Sequence, residues 1–509
     1  MLEILDTTLR DGEQTAGVSF NHVEKLSIAR MLLEEARVDR IEIASARVSD
    51  GELAAATEIC SWARRCGHLG KVEMLGFVDF GVSIEWICKA GGKVLNLLAK
   101  GSLRHVTEQL GKSPEEHVAD IAANVALAAR HGLRVNLYLE DWSNGMADSP
   151  EYVRFVVDSL RSEPIERFML PDTLGVLSPG QAQDFCRQMT TAYPGLRFDF
   201  HAHNDYDMAV ANVAAAVSGG VSGVHVTVNG LGERAGNAPL ASVVAVLNDM
   251  LKVPNSINEK RLTHVCHIVE SLSGIRIPDN KPVVGDSVFT QTAGVHADGD
   301  NKGGLYINRL LPERFGRVRR YALGKLSGKA NIAKNLQELG MNLTSEQIRL
   351  VTRRVIELGD KKESMSMEDL PFIVADVLRG GMPHEESPDA IHIVNYCLSL
   401  TRGLRPVATV RVSIAGTEYE ETSQGDGQYD AFMKALWKVY DRLGRNHPRL
   451  ADYKVSIPPG GKTDALVETV IVWDDNGHEI RTRGLDADQT EAAIKATVKM
   501  LNIIDNRNQ

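Results

Sequence analysis

The stretch that decides the fold is Leu2–Gln14, LEILDTTLRDGEQ, in which a short apolar run leads directly into polar and charged residues. Leu2–Asp6 has the composition of a short buried strand, and Arg10, Asp11 and Glu13 follow its carboxyl end. Barrels of parallel strands carry their chemistry at that end. A solvated turn that caps the next helix would contain the same residue types, so the stretch alone leaves both interpretations open.

The composition is that of a large globular protein. The chain has 509 residues, 43% of them hydrophobic and 24% charged, which predicts two or three domains. We expect neither a membrane-spanning segment nor a secretion signal. The net charge of −10 argues against a nucleic-acid binder. The six cysteines form no CxxC pattern, which predicts reduced thiols and a cytoplasmic location.

Short apolar runs alternate with amphipathic helical stretches over the first 255 residues. The strand candidates are Leu2–Asp6, Arg40–Ala44, Val72–Gly76, Lys93–Leu98, Arg134–Leu139, Arg167–Leu170, Arg197–His203 and Gly223–Val228. These strands are too apolar to have a wet face, and each is followed by a helical stretch. The pattern predicts a (β/α)₈ TIM barrel over residues 1–255, with a doubly wound open sheet as the alternative.

The first of the predicted helices shows how the sequence marks helix boundaries. Asn21–Ala36 begins with Asn21 as a possible N-cap, and Glu24 lies at the capping-box position. The apolar stripe predicted for this helix consists of Val23, Leu26, Ala29 and Leu33.

The sequence of residues 256–381 predicts mainly helices, which we interpret as linker subdomains. MPHEESPDA at 382–390 indicates a boundary. Residues 390–509 predict an α+β domain in which the order strand, strand, strand, helix occurs twice. The first copy is Ile391–Leu400, Val407–Ile414, Thr417–Thr422 and Gln428–Leu443; the second is Tyr453–Ile457, Leu466–Trp473, His478–Thr482 and Asp488–Leu501.

The stretch DFHAHNDYD predicts a metal site. His201 and His203 are two residues apart at the end of the seventh strand, so both rings point to the same side. Together with Asp11 they offer imidazoles and a carboxylate, which suit Mg²⁺, Mn²⁺, Co²⁺ or Zn²⁺. Asn237 is a possible fourth ligand, although it also precedes a helical stretch and could be a helix cap.

DTTLRDGEQ, HAHND and NGLGERAGN together resemble the α-isopropylmalate, homocitrate and citramalate synthase family of acyltransferases. The resemblance extends over the whole chain through TQTAGVHADG, GKLSGKAN and the GDGxxDA pattern at Gly425–Ala431. It implies a Claisen-type condensation of acetyl-CoA with a 2-oxo acid that is bound at a divalent metal. It also implies a homodimer whose C-terminal domain senses a branched-chain amino acid.

The resemblance assigns roles to individual residues. The metal ligands would be Asp11, His201, His203 and Asn237. Arg10 would stabilise the oxygen of the attacked carbonyl, Glu140 would be a catalytic carboxylate, and Thr173 would contact the substrate carboxylate. His296 and Tyr306 match linker residues that the family brings over the barrel of the neighbouring subunit. The general base is left open among Glu140, His296 and Tyr306.

Three strand-end positions predict which 2-oxo acid fits. Leu75, Leu98 and Tyr138 are bulky and uncharged, and this set resembles the pyruvate pocket of the family members that make citramalate. A distal carboxylate, as in 2-oxoglutarate, would need a cationic or donor group. The prediction is therefore citramalate formation in isoleucine biosynthesis. The alternative is 2-isopropylmalate formation from 2-oxoisovalerate in leucine biosynthesis.

Two other classes of protein are less consistent with the sequence than the synthase. The related hydroxymethylglutaryl-CoA lyases carry a cysteine in the loop after strand eight, and Asn229–Leu240 contains none. A catalytically inactive amino-acid sensor would be expected to have lost Arg10 or a metal ligand, and the chain retains them.

Overall fold

The computed structural model describes residues 2–360, 365, 367–378, 391–456 and 467–508. The chain forms two compact units, one of Met1–Phe289 with Ile307–Arg319 and one of Thr290–Tyr306 with Arg320–Gln509. The boundary predicted at 382–390 lies outside the described residues. None of the helices within the described ranges is long and apolar enough to cross a membrane.

Eight parallel strands form a closed barrel in sequence order, as the sequence predicts. The strands are β1 (Glu3–Asp6), β2 (Arg40–Ser45), β3 (Val72–Phe77), β4 (Val94–Lys100), β5 (Arg134–Glu140), β6 (Ile165–Asp172), β7 (Phe198–Ala202) and β8 (Gly223–Val226). The barrel closes between β1 and β8, where Glu3 pairs with Gly223 and Asp6 with Val226. The alternative open sheet is therefore wrong.

Helices surround the barrel and cover its strands. They are α1 (His22–Arg30), α2 (Asp50–Arg65), α3 (Val82–Ala90), α4 (Pro114–Arg130), α5 (Trp142–Asp148), α6 (Pro150–Leu160), α7 (Pro179–Ala192), α8 (Ala209–Ser218), α9 (Leu240–Val246) and α10 (Glu259–Ser273). The main core lies between the strands and these helices. A second, small apolar cluster of Leu5, Leu75, Tyr138 and Met169 lies apart from it. On their strands these residues alternate with residues of the main core, which places them inside the barrel.

Helix α1 begins with the predicted capping box of Asn21 and Glu24. The predicted stripe is wrong at Val23, which is 62% exposed, whereas Lys25 is buried. The Lys25 ammonium lies 2.6 Å from Glu13 and 2.5 Å from Glu52. Because these carboxylates neutralise a buried cation, the helix turns a lysine inward where the apolar pattern favoured a valine.

In the second unit, the described residues of 290–306 and 320–378 are mainly helical, with α11 (Gly294–Asn301), α12 (Lys329–Glu338), α13 (Ser345–Asp360) and α14 (Leu370–Leu378). Two strands that the sequence analysis did not predict, β9 (Thr290–Gln291) and β10 (Arg320–Tyr321), form a parallel pair. Strands of two residues are too short to show an alternating pattern.

The predicted C-terminal repeat is confirmed. Its strands are β11 (His392–Ser399), β12 (Val407–Ile414), β13 (Thr417–Gln424), β14 (Arg449–Ser456), β15 (Val467–Asp475) and β16 (His478–Asp486), and its helices are α15 (Gln428–Arg442) and α16 (Gln489–Asn508). Each copy has a three-stranded antiparallel sheet. The predicted strand ends at Ile457 and Leu466 lie outside the described residues. The hairpins turn at Ala415-Gly416 and Asn476-Gly477, all with positive φ.

Candidate active site

The strand ends bring together the three residues that the sequence analysis selected as metal ligands. His201 is on β7, His203 follows that strand directly, and Asp11 follows β1. The Nε2 atoms of His201 and His203 lie 3.2 and 3.9 Å from Oδ2 of Asp11. All three residues are buried, and they form a group that could hold a metal ion. Spacing on the strand thus predicted the local geometry correctly.

Several polar atoms of this group are left without hydrogen bonds. Among the described residues, no hydrogen-bond partner faces Oδ1 of Asp11, Nδ1 of either histidine, or Oδ1 of Asn237, and Oδ2 of Asp11 has only its contacts with the two histidines and Arg10. The backbone of Asn237 forms a β-bridge with His203, and its Nδ2 donates a hydrogen bond to the Leu231 carbonyl at 3.1 Å. The side-chain amide oxygen of Asn237 therefore has no partner. Burying such atoms costs free energy unless a ligand engages them. Carboxylate, imidazole and amide donors fit a divalent cation.

The charge states of these residues also fit a cation. Burial alone would raise the pKa of Asp11, but Arg10, His201 and His203 together hold it below its ordinary value. Burial and the adjacent His201 lower the pKa of His203 to about 4. At neutral pH the site therefore presents an ionised carboxylate and a neutral imidazole, the forms in which both bind metals.

Arg10 is held beside Asp11 by a residue that the sequence analysis missed. Its Nε donates to Oε2 of the buried Glu42 at 2.7 Å, and its Nη1 lies 3.6 Å from Asp11. Glu42 also accepts from Thr7 Oγ1 at 2.7 Å and Asn96 Nδ2 at 2.8 Å. Burial would raise the pKa of Glu42, but the charge of Arg10 and these donors lower it. A charged residue inside an apolar strand was the available signal.

Tyr138 lies between Arg10 and a third buried histidine. Its hydroxyl is 3.0 Å from Nδ1 of His225 on β8 and 3.5 Å from Nη2 of Arg10. Nε2 of His225 lies 3.5 Å from Asp199. Burial raises the pKa of Tyr138 well above its ordinary value and lowers that of His225 to about 4. Both groups are therefore neutral at physiological pH.

Glu140 and Thr173 stand on neighbouring strand ends. Glu140 ends β5 and forms an ion pair with Lys100, the last residue of β4. The Thr173 hydroxyl oxygen accepts a hydrogen bond from the backbone N–H of Asp141 at 2.9 Å. Because that bond uses a lone pair, the hydroxyl hydrogen of Thr173 is available to an acceptor in the cavity.

A cavity of about 210 Å³ at the strand ends collects most of the predicted site. The predicted residues that line it are Arg10, Asp11, Leu75, Leu98, Tyr138, Glu140, Thr173, His201 and His203. The lining also contains Gln14, Ser45, Phe77, Pro171 and Glu233, which the sequence analysis did not select. Of these, Glu233 stands within the quoted NGLGERAGN motif, where its charge offered a signal.

His296 and Tyr306 lie in the second unit and contact each other. Their ring centroids are 4.2 Å apart, and Tyr306 is 44% exposed. Gly299 allows this arrangement, since a Cβ there would come within 2.5 Å of the Tyr306 ring. The pair is therefore placed within its own unit by stacking and by a glycine that leaves room for the ring.

Family comparisons agree with the fold. The HMGL-like family matches residues 1–269, the homocitrate synthase post-HMGL domain-like family matches 283–363, and the LeuA allosteric (dimerisation) domain matches 364–504. The chain belongs to the 2-isopropylmalate and citramalate synthase family of acetyl-CoA-dependent acyltransferases. This confirms the resemblance of the sequence motifs.

Individual relatives do not agree on a substrate. A "Probable 2-isopropylmalate synthase" of Methanopyrus kandleri is 35% identical over 100% of this chain and 99% of its own length. The (R)-citramalate synthase of Methanocaldococcus jannaschii is 34% identical over 99% of this chain and 100% of its own. The 2-isopropylmalate synthase of that organism is 32% identical over 98% and 94%. Such similar identities cannot separate the two activities.

Proposed function

We propose that the chain condenses acetyl-CoA with pyruvate to form (R)-citramalate. The observation that carries this choice is the bulk of the cavity wall, since Leu75, Leu98 and Tyr138 line the cavity. We expect these three side chains to limit the size of the side chain on the 2-oxo acid. No cationic side chain other than Arg10 lines the cavity within the described residues. A second carboxylate, as in 2-oxoglutarate, would therefore lack a cationic partner of its own.

We propose that Asp11, His201, His203 and Asn237 hold a divalent metal ion, and the unpartnered polar atoms described above support this set. When bound, such an ion polarises the keto group of the 2-oxo acid. Arg10, fixed by Glu42, directs its remaining N–H groups to the same region and stabilises negative charge that develops on the keto oxygen. The Thr173 hydroxyl donates its free hydrogen to the substrate carboxylate.

The condensation requires a base that removes a proton from the acetyl methyl group. The resulting carbanion attacks the keto carbon, and hydrolysis of the thioester releases CoA. Glu140 stands at the cavity with its charge balanced by Lys100. His296 and Tyr306 stay candidates as well, in the proposed role of residues that a neighbouring subunit brings to the barrel.

The decisive experiment compares kcat/KM for pyruvate, 2-oxoisovalerate and 2-oxoglutarate with acetyl-CoA in buffer that contains Mn²⁺. We expect a clear preference for pyruvate, with weak turnover of 2-oxobutanoate, because one methylene is worth only about 1–3 kcal/mol in an apolar pocket. A preference for 2-oxoisovalerate would instead assign the chain to 2-isopropylmalate formation. Turnover of none of these acids would favour the inactive sensor.

We also propose a cytoplasmic homodimer with three parts: a barrel over 1–255, helical linker subdomains over 256–381 and a regulatory domain over 390–509. The described cysteines are all free thiols, which supports the location. The match to the LeuA allosteric (dimerisation) domain supports both the dimer and inhibition by a branched-chain amino acid. Assays of the full chain with leucine and with isoleucine test the regulation, and it fails if neither inhibits.

A further inference from the structure

The shorter of the two polar contacts of the Tyr138 hydroxyl joins this residue to His225 on β8. Its hydroxyl lies 3.0 Å from Nδ1 of His225, which is 1% exposed, and their rings meet edge-on with centroids 5.6 Å apart. The remaining neighbours of the Tyr138 ring include apolar Leu5, Leu75 and Met169. Apolar contacts alone would let the ring tilt, whereas a hydrogen bond fixes the position of its outer end.

The surroundings of His225 determine the direction of this hydrogen bond. Asp199 lies 3.5 Å from Nε2 of His225, and Arg40 and Arg167 both bind that carboxylate. A carboxylate facing Nε2 favours the tautomer that carries its hydrogen there, so Nδ1 keeps a lone pair. The Tyr138 hydroxyl therefore donates to His225, and its oxygen lone pairs face Arg10 Nη2 at 3.5 Å.

We propose that His225 is a positioning residue that sets the size of the 2-oxo acid pocket by holding Tyr138. His225 is not among the residues that line the cavity, so its effect on specificity would pass through the tyrosine ring. Without an acceptor at Nδ1 the buried hydroxyl has no group to receive its hydrogen and keeps only the 3.5 Å contact with Arg10, so the ring can move away from the cavity. The pocket then admits a branched side chain. This proposal rests on the proposed role of Tyr138 as a wall of the substrate pocket.

The test measures the ratio of kcat/KM for pyruvate to kcat/KM for 2-oxoisovalerate in the His225→Leu and Tyr138→Phe variants. We expect both to lower the ratio relative to the unaltered chain, by about tenfold or more, mainly through KM. His225→Asn keeps an acceptor near the position of Nδ1 and should restore most of the ratio. Because both substitutions remove one hydrogen bond, the double variant should resemble either single variant.

Two controls separate positioning from general damage. Val226→Ala removes a side chain from the same strand, but on the face that packs in the outer core, and should leave the ratio unchanged. The rings of His225 and His201 are 5.4 Å apart, so Mn²⁺ binding is measured by calorimetry and should be retained in His225→Leu.

The inference is overturned if the ratio is unchanged in His225→Leu, if the effects of the two single variants add, or if Mn²⁺ binding is lost. Because every ratio is read against that of the unaltered chain, the test of His225 is separate from the substrate assignment. An unaltered chain that prefers 2-oxoisovalerate would contradict citramalate formation. Even then, a lower kcat/KM ratio in His225→Leu than in the unaltered chain would support the role of His225.

Discussion

The two ends of the barrel interior contain the same types of charged side chains but differ in how these side chains are paired. At the amino-terminal end of the strands, Arg40 contacts Glu3, Glu73 and Asp199, and Arg167 contacts Glu3 and Asp199. Each carboxylate there faces a guanidinium group. At the carboxyl end, Asp11 shares one guanidinium group, that of Arg10, with Glu42, and it lies beside two histidines and Asn237 that have polar atoms without hydrogen-bond partners. A buried charge with an opposite partner needs no ligand, whereas an unpartnered set is prepared to bind one.

The largest expected effect on activity comes from substituting one of the proposed metal ligands. Asp11→Asn should lower kcat/KM by about a thousandfold or more, because a bound divalent ion supplies several kcal/mol to the reaction. Mn²⁺ affinity measured by calorimetry should fall in parallel, while thermal unfolding stays cooperative. Asp199→Asn alters the paired end and serves as the control that keeps Mn²⁺ binding. Full turnover in Asp11→Asn would remove the proposed metal site.

Breaking the paired end should act on stability instead. Arg40→Met leaves buried carboxylates short of a partner and should lower the free energy of unfolding by about 3–5 kcal/mol. Arg197 also binds Glu3 but is half-exposed, so Arg197→Met should cost less than about 1 kcal/mol. Urea denaturation of both variants makes the comparison. Equal losses would show that burial does not distinguish the two arginines.

Glu42 is a buried charge with partners, like the carboxylates at the amino-terminal end, but it positions Arg10, which belongs to the site at the carboxyl end. Glu42→Gln should lower kcat by about 10- to 100-fold with little change in KM, because Arg10 then loses its fixed geometry. Asn136 donates to Asn96 at the far end of the same chain of hydrogen bonds. Asn136→Ala should therefore change kcat by less than about threefold. An unchanged kcat in Glu42→Gln would mean that Asp11 alone orients Arg10.

The smallest effect tests a partnered polar residue near the carboxyl end. His117 Nε2 accepts from the backbone N–H of Lys100 at 3.1 Å, and burial lowers the pKa of His117 to about 4 from 6.5. Below pH 6.5 the unfolded chain gains a proton there that the folded chain refuses, so stability falls as the pH falls toward 4. This contribution should be about 1–2 kcal/mol between pH 7 and 5.

The His117→Gln variant measures that contribution. Glutamine can still accept from the Lys100 N–H but does not titrate. Urea denaturation at pH 7 and pH 5 should therefore show a smaller loss of stability in this variant than in the unaltered chain. Its kcat at pH 7 should be unchanged, because His117 does not line the cavity. Parallel pH profiles would contradict the assignment of the proton to His117.

The sequence predicted the elements well where the apolar pattern was local. Every predicted barrel strand is present, because strands buried on both sides form mainly apolar runs. The hairpin turns at Ala415-Gly416 and Asn476-Gly477 were predictable from local backbone preferences. The stripe of α1 failed at Val23, because the burial of Lys25 depends on Glu13 and Glu52. These partners come from two other segments of the chain.

The site divides in the same way. His201 and His203 could be paired from their spacing, and Asp11 from the rule that parallel strands end at one edge. The contacts of Glu42, Lys100 and His225 could not be predicted, since no local sequence pattern indicates which residue faces each of them. Their partners lie 32, 40 and 87 positions away in the sequence. Pairing of neighbouring strands creates the contacts of Glu42 and Lys100, and barrel closure creates that of His225.

By itself, the sequence determined the class of fold, the C-terminal repeat, the family and the residues at the strand ends. These properties depend on periodicity and short motifs, which are written into neighbouring positions. Only the tertiary structure decided which buried charges are neutralised and which polar atoms stay unpartnered. The reason is that pairing depends on distances of about 3 Å between side chains from different strands. Such distances are set when the strands close around a common interior.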